Sequence, residues 1–173
     1  MMRRIHTVKN VKISDKDASR IGRELFYGTR RARNRRKAMP YLLQAANAGY
    51  THSQNLVGYC YSQGSGVKKN LRLSFFWFKA AAAGNHKEAL FNLGLSYEMR
   101  MGTSINLRKA YFFYEKAARE GDIPSMYKLG VAHIQGSGVP KNVKKGVNWL
   151  RKAAMKGDAR ASYDLGCLTR LIG

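Results

Sequence analysis

The sequence predicts an all-α fold, a right-handed α-solenoid of stacked helical hairpins, and three observations carry that prediction. Apolar-glycine pairs recur every 36 residues, at Ile21-Gly22, Val57-Gly58, Leu93-Gly94, Leu129-Gly130 and Leu165-Gly166. An aromatic column (Tyr41, Trp77, Phe113, Trp149) and an alanine-pair column (Ala45-Ala46, Ala81-Ala82, Ala117-Ala118, Ala153-Ala154) keep the same step. So do Asn34, Asn70, Asn106 and Asn142. Columns that agree at one period mark a repeat architecture. Each unit is too small to bury its apolar face alone, and stacking on a neighbour completes the core.

Each unit reads as two helices. In "HKEALFNLGLSYEM", Ala89, Leu93 and Tyr97 fall at i, i+4 and i+8 on one helical face. A glycine turn follows, "GSGV" at 64–67 and 136–139, then an asparagine suited to capping a helix, then a second helix such as "NVKKGVNWLRKAAMKG". Gly49, Gly84, Gly121 and Gly157 are expected to close the units. Glycine inside a helix costs up to about 1 kcal/mol against alanine. Its return at one position of every first helix predicts helices so close that a β-carbon would clash. The units run 14–49, 50–84, 85–121 and 122–157, with a half unit at 158–173, behind a basic tail at 1–13 that is expected to be poorly ordered.

Composition fits one folded domain: 173 residues, 45% hydrophobic and 11% aromatic. Charge is the unusual quantity, with 32 Lys and Arg against 10 Asp and Glu, a net +22. Such a field attracts polyanions, whether nucleic acid, an anionic membrane or an acidic protein, without choosing among them. No apolar run approaches the roughly 20 residues that span a bilayer. The opening "MMRRIHTVKNVKIS" lacks the apolar segment of a secretory signal. With only Cys60 and Cys167, the expectation is a cytoplasmic chain with reduced thiols; the alternative is export by machinery that reads no such signal.

The consensus of these columns, "AxxxLGxxYxxGxGVxxNxxKAxxWxxKAAxxG", resembles the Sel-one-like repeat, a relative of the tetratricopeptide repeat. The resemblance covers residues 50–173 well and 14–49 more loosely. The third unit departs from it, since "EMRMGTSIN" lacks the Gly-x-Gly-Val turn. The disulfide that some bacterial members carry in each repeat is also missing. The resemblance implies an adaptor or scaffold that binds other proteins, often in bacterial signalling or virulence, and no enzymatic activity.

Two surfaces are candidates for binding. The stretch "RRARNRRK", Arg30 to Lys37, has six basic residues in eight positions. The repeat register places it in the first inter-helix turn and the entry to the second helix. Pro40 would break a helix begun at Asn34, so a late start is expected, with Pro40 near the first turn and the basic run partly unwound. The same column continues as a basic ridge: Arg33, Lys69 and Lys141; Arg36, Arg72, Arg108 and Lys144; Lys37, Lys109 and Lys145. Helix packing would space its steps about 10 Å apart. That is an array for a phosphate backbone or an acidic segment, or else a solvated edge.

The other surface is the face of the first helices, expected to be concave, where Arg20, Asn92 and Lys128 share one column and Gln63 and Gln135 another. Its variety suits a peptide groove on a fixed frame, and equally an idle surface. Phe91, Tyr127 and Tyr163 are expected to pack.

No catalytic constellation is found. His6, His52, His86 and His133 share no column, no zinc-ligand spacing exists, and no nucleophile has a supporting motif. Cys60 and Cys167 lie three units apart, about 30 Å by helix spacing and beyond disulfide reach. No cofactor and no metal are expected. The first reading is a non-enzymatic protein-interaction scaffold whose partner offers an acidic or extended segment. The alternative is a nucleic-acid binder using the ridge. A peripheral membrane role lacks an amphipathic apolar stripe. Finally, Leu165, Leu168, Leu171 and Ile172 lack a following helix. Either the last helix caps the solenoid by packing on unit four, or two chains meet there as a homodimer.

Overall fold

The computed structural model describes residues 13–172, with side chains through residue 168. The expected N-terminal tail, His6 and the side chains of Leu171 and Ile172 lie outside the described residues. Within them the chain is helical throughout, with no strand. The helices are α1 (Asp15–Tyr27), α2 (Arg35–Asn47), α3 (Thr51–Gln63), α4 (Leu71–Ala83), α5 (Lys87–Glu98), α6 (Leu107–Arg119), α7 (Ile123–Gln135), α8 (Val143–Met155) and α9 (Ala159–Ile172). Odd-numbered helices are the first of each unit and even-numbered the second. Each packs on its neighbours in the chain, as an α-solenoid requires.

Every second helix opens on the asparagine column. The side chains of Asn34, Asn70, Asn106 and Asn142 accept from the backbone N–H groups of Lys37, Leu73, Lys109 and Lys145 at 2.9–3.0 Å. Each bond satisfies an N–H that the helix start would otherwise orphan. This cap sets the start of α2 and corrects the expected late one: the helix begins at Arg35 and carries Pro40 inside it. Arg36 and Pro40 both lie on the exposed side, where water can serve the carbonyl that proline leaves without an intrahelical donor. The basic run is therefore divided, part turn and part first helical turn.

The close helix approach inferred from the apolar-glycine pairs is present. A β-carbon added at Gly22, Gly58, Gly94 or Gly130 would fall 2.8, 2.7, 2.6 and 2.6 Å from Leu42, Phe78, Tyr114 and Leu150. At Gly166 it would meet nothing within 4 Å. A second set joins one unit to the one before. A β-carbon on Gly66, Gly102 or Gly138 would lie 2.7, 2.1 and 2.2 Å from the carbonyl oxygen of Arg35, Leu71 and Leu107, the first residues of α2, α4 and α6.

Two turns differ from the sequence reading. Gly49, Gly121 and Gly157 close their units with φ of 91°, 85° and 92°, but Gly84 does not. It has φ −87°, and Asn85, one step of 36 from Gly49, takes the left-handed position at φ 59°. Asparagine is among the few side chains that tolerate this. In the third unit Arg100 stands where Gly64 and Gly136 stand, at φ 56°, while Gly102 keeps the second glycine of the turn.

Burial follows the columns. One core cluster joins Phe26, Met39 and Leu42 to Leu56, Val57, Cys60 and Trp77. A second joins Tyr114, Met126, Leu129 and Leu150 to Ala161 of α9. Leu165 and Leu168 pack against that second cluster, so α9 folds back on unit four. The alanines Ala45, Ala81, Ala117 and Ala153 are wholly buried and let the second helices close in.

Candidate functional site

The solenoid places all ten ridge cations on the exposed surface. Arg36, Lys37, Arg72, Arg108, Lys109, Lys144 and Lys145 stand in the first turns of α2, α4, α6 and α8. Arg33, Lys69 and Lys141 recur in the turns before them, with their β-carbons against the positions of Gly28, Gly64 and Gly136. None forms an ion pair among the described residues. Lys109 rests over the Tyr97 ring at 5.3 Å. Each second-helix start adds the positive end of its dipole to these charges. Exposed Leu73, Phe76 and Phe112 interrupt the cations.

The first-helix face is more engaged than its sequence suggests. Arg20 is exposed and pairs with Asp17 and Glu24 at 3.1 Å. Leu56, in the same column, is buried in the first core cluster. Asn92 donates to Asn55 Oδ1 at 3.1 Å, and Lys128 donates to both Glu98 oxygens at 3.0 Å. Glu98 also accepts from the Tyr114 hydroxyl, a phenol whose pKa burial pushes well up. Asn92 and Lys128 of this column therefore tie their units to the ones before, while Arg20 pairs within its own helix. Gln63 and Gln135 remain exposed, as does Met99 beside them in register. Phe91 and Tyr127 pack against the second cluster, whereas Tyr163 is 73% exposed.

Two arrangements escaped the column reading. Tyr27, His52 and His86 form a chain across α1, α3 and the start of α5. The Tyr27 hydroxyl lies 3.4 Å from His52 Nε2, and His52 Nδ1 lies 3.3 Å from His86 Nε2. Glu88 stands 3.1 Å from His86 Nδ1. Burial lowers the pKa of both imidazoles, reinforced at His52 by His86 and Arg23 and opposed at His86 by Glu88. The histidines are 34 residues apart, off the period.

The second arrangement is a pair of adjoining clefts on the first-helix face of units one to three, both lined by Tyr27. One, of about 450 Å³, is bordered by Arg20, Arg23, Glu24, Arg30 and His52. The other, of about 330 Å³, is bordered by Phe26, Arg33, Arg35, Asn55, Tyr59 and Asn92. Arg35 was a findable signal, because α4, α6 and α8 begin with Leu71, Leu107 and Val143 at its position.

Cys60 is fully buried and its thiol is pushed up to about 11 by burial; Cys167 is half-buried, and both are free. No group of three metal-ligating side chains exists among the described residues. None of the described helices is long and apolar enough to cross a membrane.

Comparison with known proteins agrees with this geometry. The Sel1 repeat model matches residues 18–50, 51–86, 87–122 and 123–158. A protective antigen of uropathogenic Escherichia coli with an SLR fold superposes with TM-score 0.84 at 26% identity, over 90% of this chain and 33% of that one. A Sel1 repeat protein from Oxalobacter formigenes superposes with TM-score 0.81 at 30% identity, over 88% and 62%. The chitin synthase regulator SKT5 of Saccharomyces cerevisiae is 35% identical over 54 residues, 31% of this chain. The chain spans only 8% of that yeast protein's length. With four matched units in one continuous stack, the chain belongs to the Sel1 repeat family, whose repeats generally serve as non-enzymatic scaffolds for protein interaction.

Proposed function

We propose that this protein is an interaction scaffold that captures an acidic, extended segment of a partner protein along the first-helix face of units one to three. The observation that carries this reading is the pair of clefts sharing Tyr27. Arg20, Arg23, Arg30, Arg33 and Arg35 line them, against a single carboxylate, Glu24. Glu24 is already taken by Arg20 and Arg31 at 3.1 and 3.3 Å. A groove lined by arginines and aromatic rings favours extended chains bearing carboxylates. The yeast relative is named as a regulator of an enzyme, in keeping with a binding role.

The exposed ridge supports a second reading, a nucleic-acid binder, because its ten cations have no ion-pair partner among the described residues. Fluorescence anisotropy separates the two. A labelled peptide of alternating Glu and Ser should bind at least about tenfold tighter than its Gln counterpart. Arg23→Glu with Arg30→Glu should abolish that preference. Suppose instead that a DNA duplex binds with a steep salt slope between about 50 and 300 mM. If Arg36→Glu, Arg72→Glu, Arg108→Glu and Lys144→Glu then remove that binding, function moves to the ridge.

A further inference from the structure

We propose that Arg35 is the receptor for one carboxylate side chain of the bound segment, so that the partner carries an Asp or Glu at one fixed position. This rests on the reading above and narrows it to a single residue.

Three contacts hold the Arg35 guanidinium in place. Its Cζ lies 4.6 Å from the centroid of the Phe26 ring and 5.4 Å from that of Tyr59. Its Nη1 donates to Ser65 Oγ at 2.8 Å. Gly66 packs so tightly over the Arg35 carbonyl that a β-carbon would fall 2.7 Å from the oxygen, which fixes the backbone beneath. A long side chain is thus ordered before any ligand arrives, and a ligand need not supply that ordering.

What the protein leaves unbonded is one particular edge. Nε is shut off from solvent and has no acceptor among the described residues, where the guanidinium's single hydrogen bond is the one from Nη1 to Ser65 Oγ. A buried N–H without a partner is costly and uncommon in a folded protein. The Nε–Nη2 edge is one on which a guanidinium takes a carboxylate side-on with two parallel bonds. Arg35 lines the 330 Å³ cleft, so its guanidinium is a donor group that a carboxylate entering there meets. Arg33 lines the same cleft and adds a second positive charge. Asn92 Nδ2 is spent on Asn55 Oδ1, which leaves Asn55 Nδ2 and Asn92 Oδ1 as a donor and an acceptor for an extended backbone alongside.

The test pairs protein and peptide variants on the full chain. Arg35→Leu installs the residue that begins α4 and α6, so the fold has a precedent for it; Arg35→Lys keeps the charge and loses the planar fork. The probe is the labelled Glu-Ser peptide and a set in which each Glu in turn becomes Gln. Expected is one position whose Glu→Gln change weakens binding to the native chain about tenfold and leaves Arg35→Leu unaffected, since their shared interaction is already gone. Arg35→Lys should recover only part of the affinity. In the ¹⁵N-labelled chain, the Arg35 Nε–H signal should shift on peptide addition.

If no position couples to Arg35, and Arg35→Leu binds as the native chain does, then Arg35 only packs between Phe26 and Tyr59. The wider groove reading would survive that result. If the native chain does not distinguish Glu from Gln peptides, both proposals fall.

Discussion

Except at α3, whose start carries no acid, first and second helices of this solenoid begin in opposite ways. The starts of α1, α5, α7 and α9 carry carboxylates: Asp15 and Asp17, Glu88, Asp122 and Asp158. Asp122 accepts from Ser125 N at 2.9 Å, and Asp158 from Ala161 N at 3.1 Å. Negative charge there complements the helix dipole. The starts of α2, α4, α6 and α8 have neutral asparagine caps followed by cations, with no acid in the first turn. Side-chain caps hold all four second-helix starts and those of α1, α7 and α9, whereas α3 and α5 have none. Only the first set also compensates the dipole. The second helices leave a cost of about 0.3–1 kcal/mol per opposing cation standing along a whole edge, and departures from local stability rules tend to mark functional surfaces.

Making the two kinds of start alike should have the largest effect. Arg36→Glu, Arg72→Glu, Arg108→Glu and Lys144→Glu together should raise stability by about 1–4 kcal/mol in urea unfolding. The same variant should lose affinity for any polyanion. A loss of stability would mean that these exposed side chains hold the fold in a way their first-turn positions do not suggest. Next in size, Asp122→Ala removes both a cap bond and a favourable charge and should cost about 0.5–2 kcal/mol. Asn106→Asp keeps the cap, adds the missing charge and should gain up to about 1 kcal/mol.

The ends of the first helices sharpen the contrast further. Gly28, Gly64 and Gly136 are left-handed without strain, whereas Arg100 must adopt that conformation with a side chain. Arg100→Gly should stabilise by about 0.5–1 kcal/mol, the relief of strain less the added freedom of the unfolded chain. A chemical melt that moves the other way would show that Arg100 makes an unexpected contact.

Acid gives the smallest effect. His52 and His86, at the starts of α3 and α5, have folded pKa values below the ordinary 6.5. The unfolded chain therefore binds their protons more readily. Their stabilisation is complete above about pH 6.5 and fades as pH falls towards the depressed folded values. Asp17 and Asp158, lowered from 3.8, add their own loss only in stronger acid. Thermal midpoints should drop as pH falls below about 6.5, and His52→Gln with His86→Gln should flatten that slope. Protonation would give two first-helix starts the cationic character of the second.

What was legible in the sequence was whatever obeyed the period. The asparagine caps, the glycine approaches and the alanine faces could be read because one physical requirement repeats at each. Pro40 misled because a side-chain cap at Asn34 outweighed one missing bond on a wet surface. Gly84 misled because its neighbour Asn85 could take the left-handed position as well. The Arg35 stack draws on Phe26, nine positions earlier, and Tyr59, twenty-four later, neither at the repeat interval. The histidine pair is likewise two residues short of the period. The ridge obeys the period and was legible for that reason, whereas the Arg35 stack and the histidine pair arise where residues leave it, and a search for the period passes over them.

The glycines at 66, 102 and 138 bear on how the molecule deforms. At each, one unit's turn meets the previous unit's backbone with no side chain between, so no rotamer can yield there. Elsewhere units touch through side chains, His52 with His86, Asn55 with Asn92, and Glu98 with Lys128, all able to swivel. Under load the solenoid should flex like a leaf spring clamped along one margin. The spacing of the cationic edge would stay constant, like the marks of a ruler, while the swivelling side-chain contacts took up the strain.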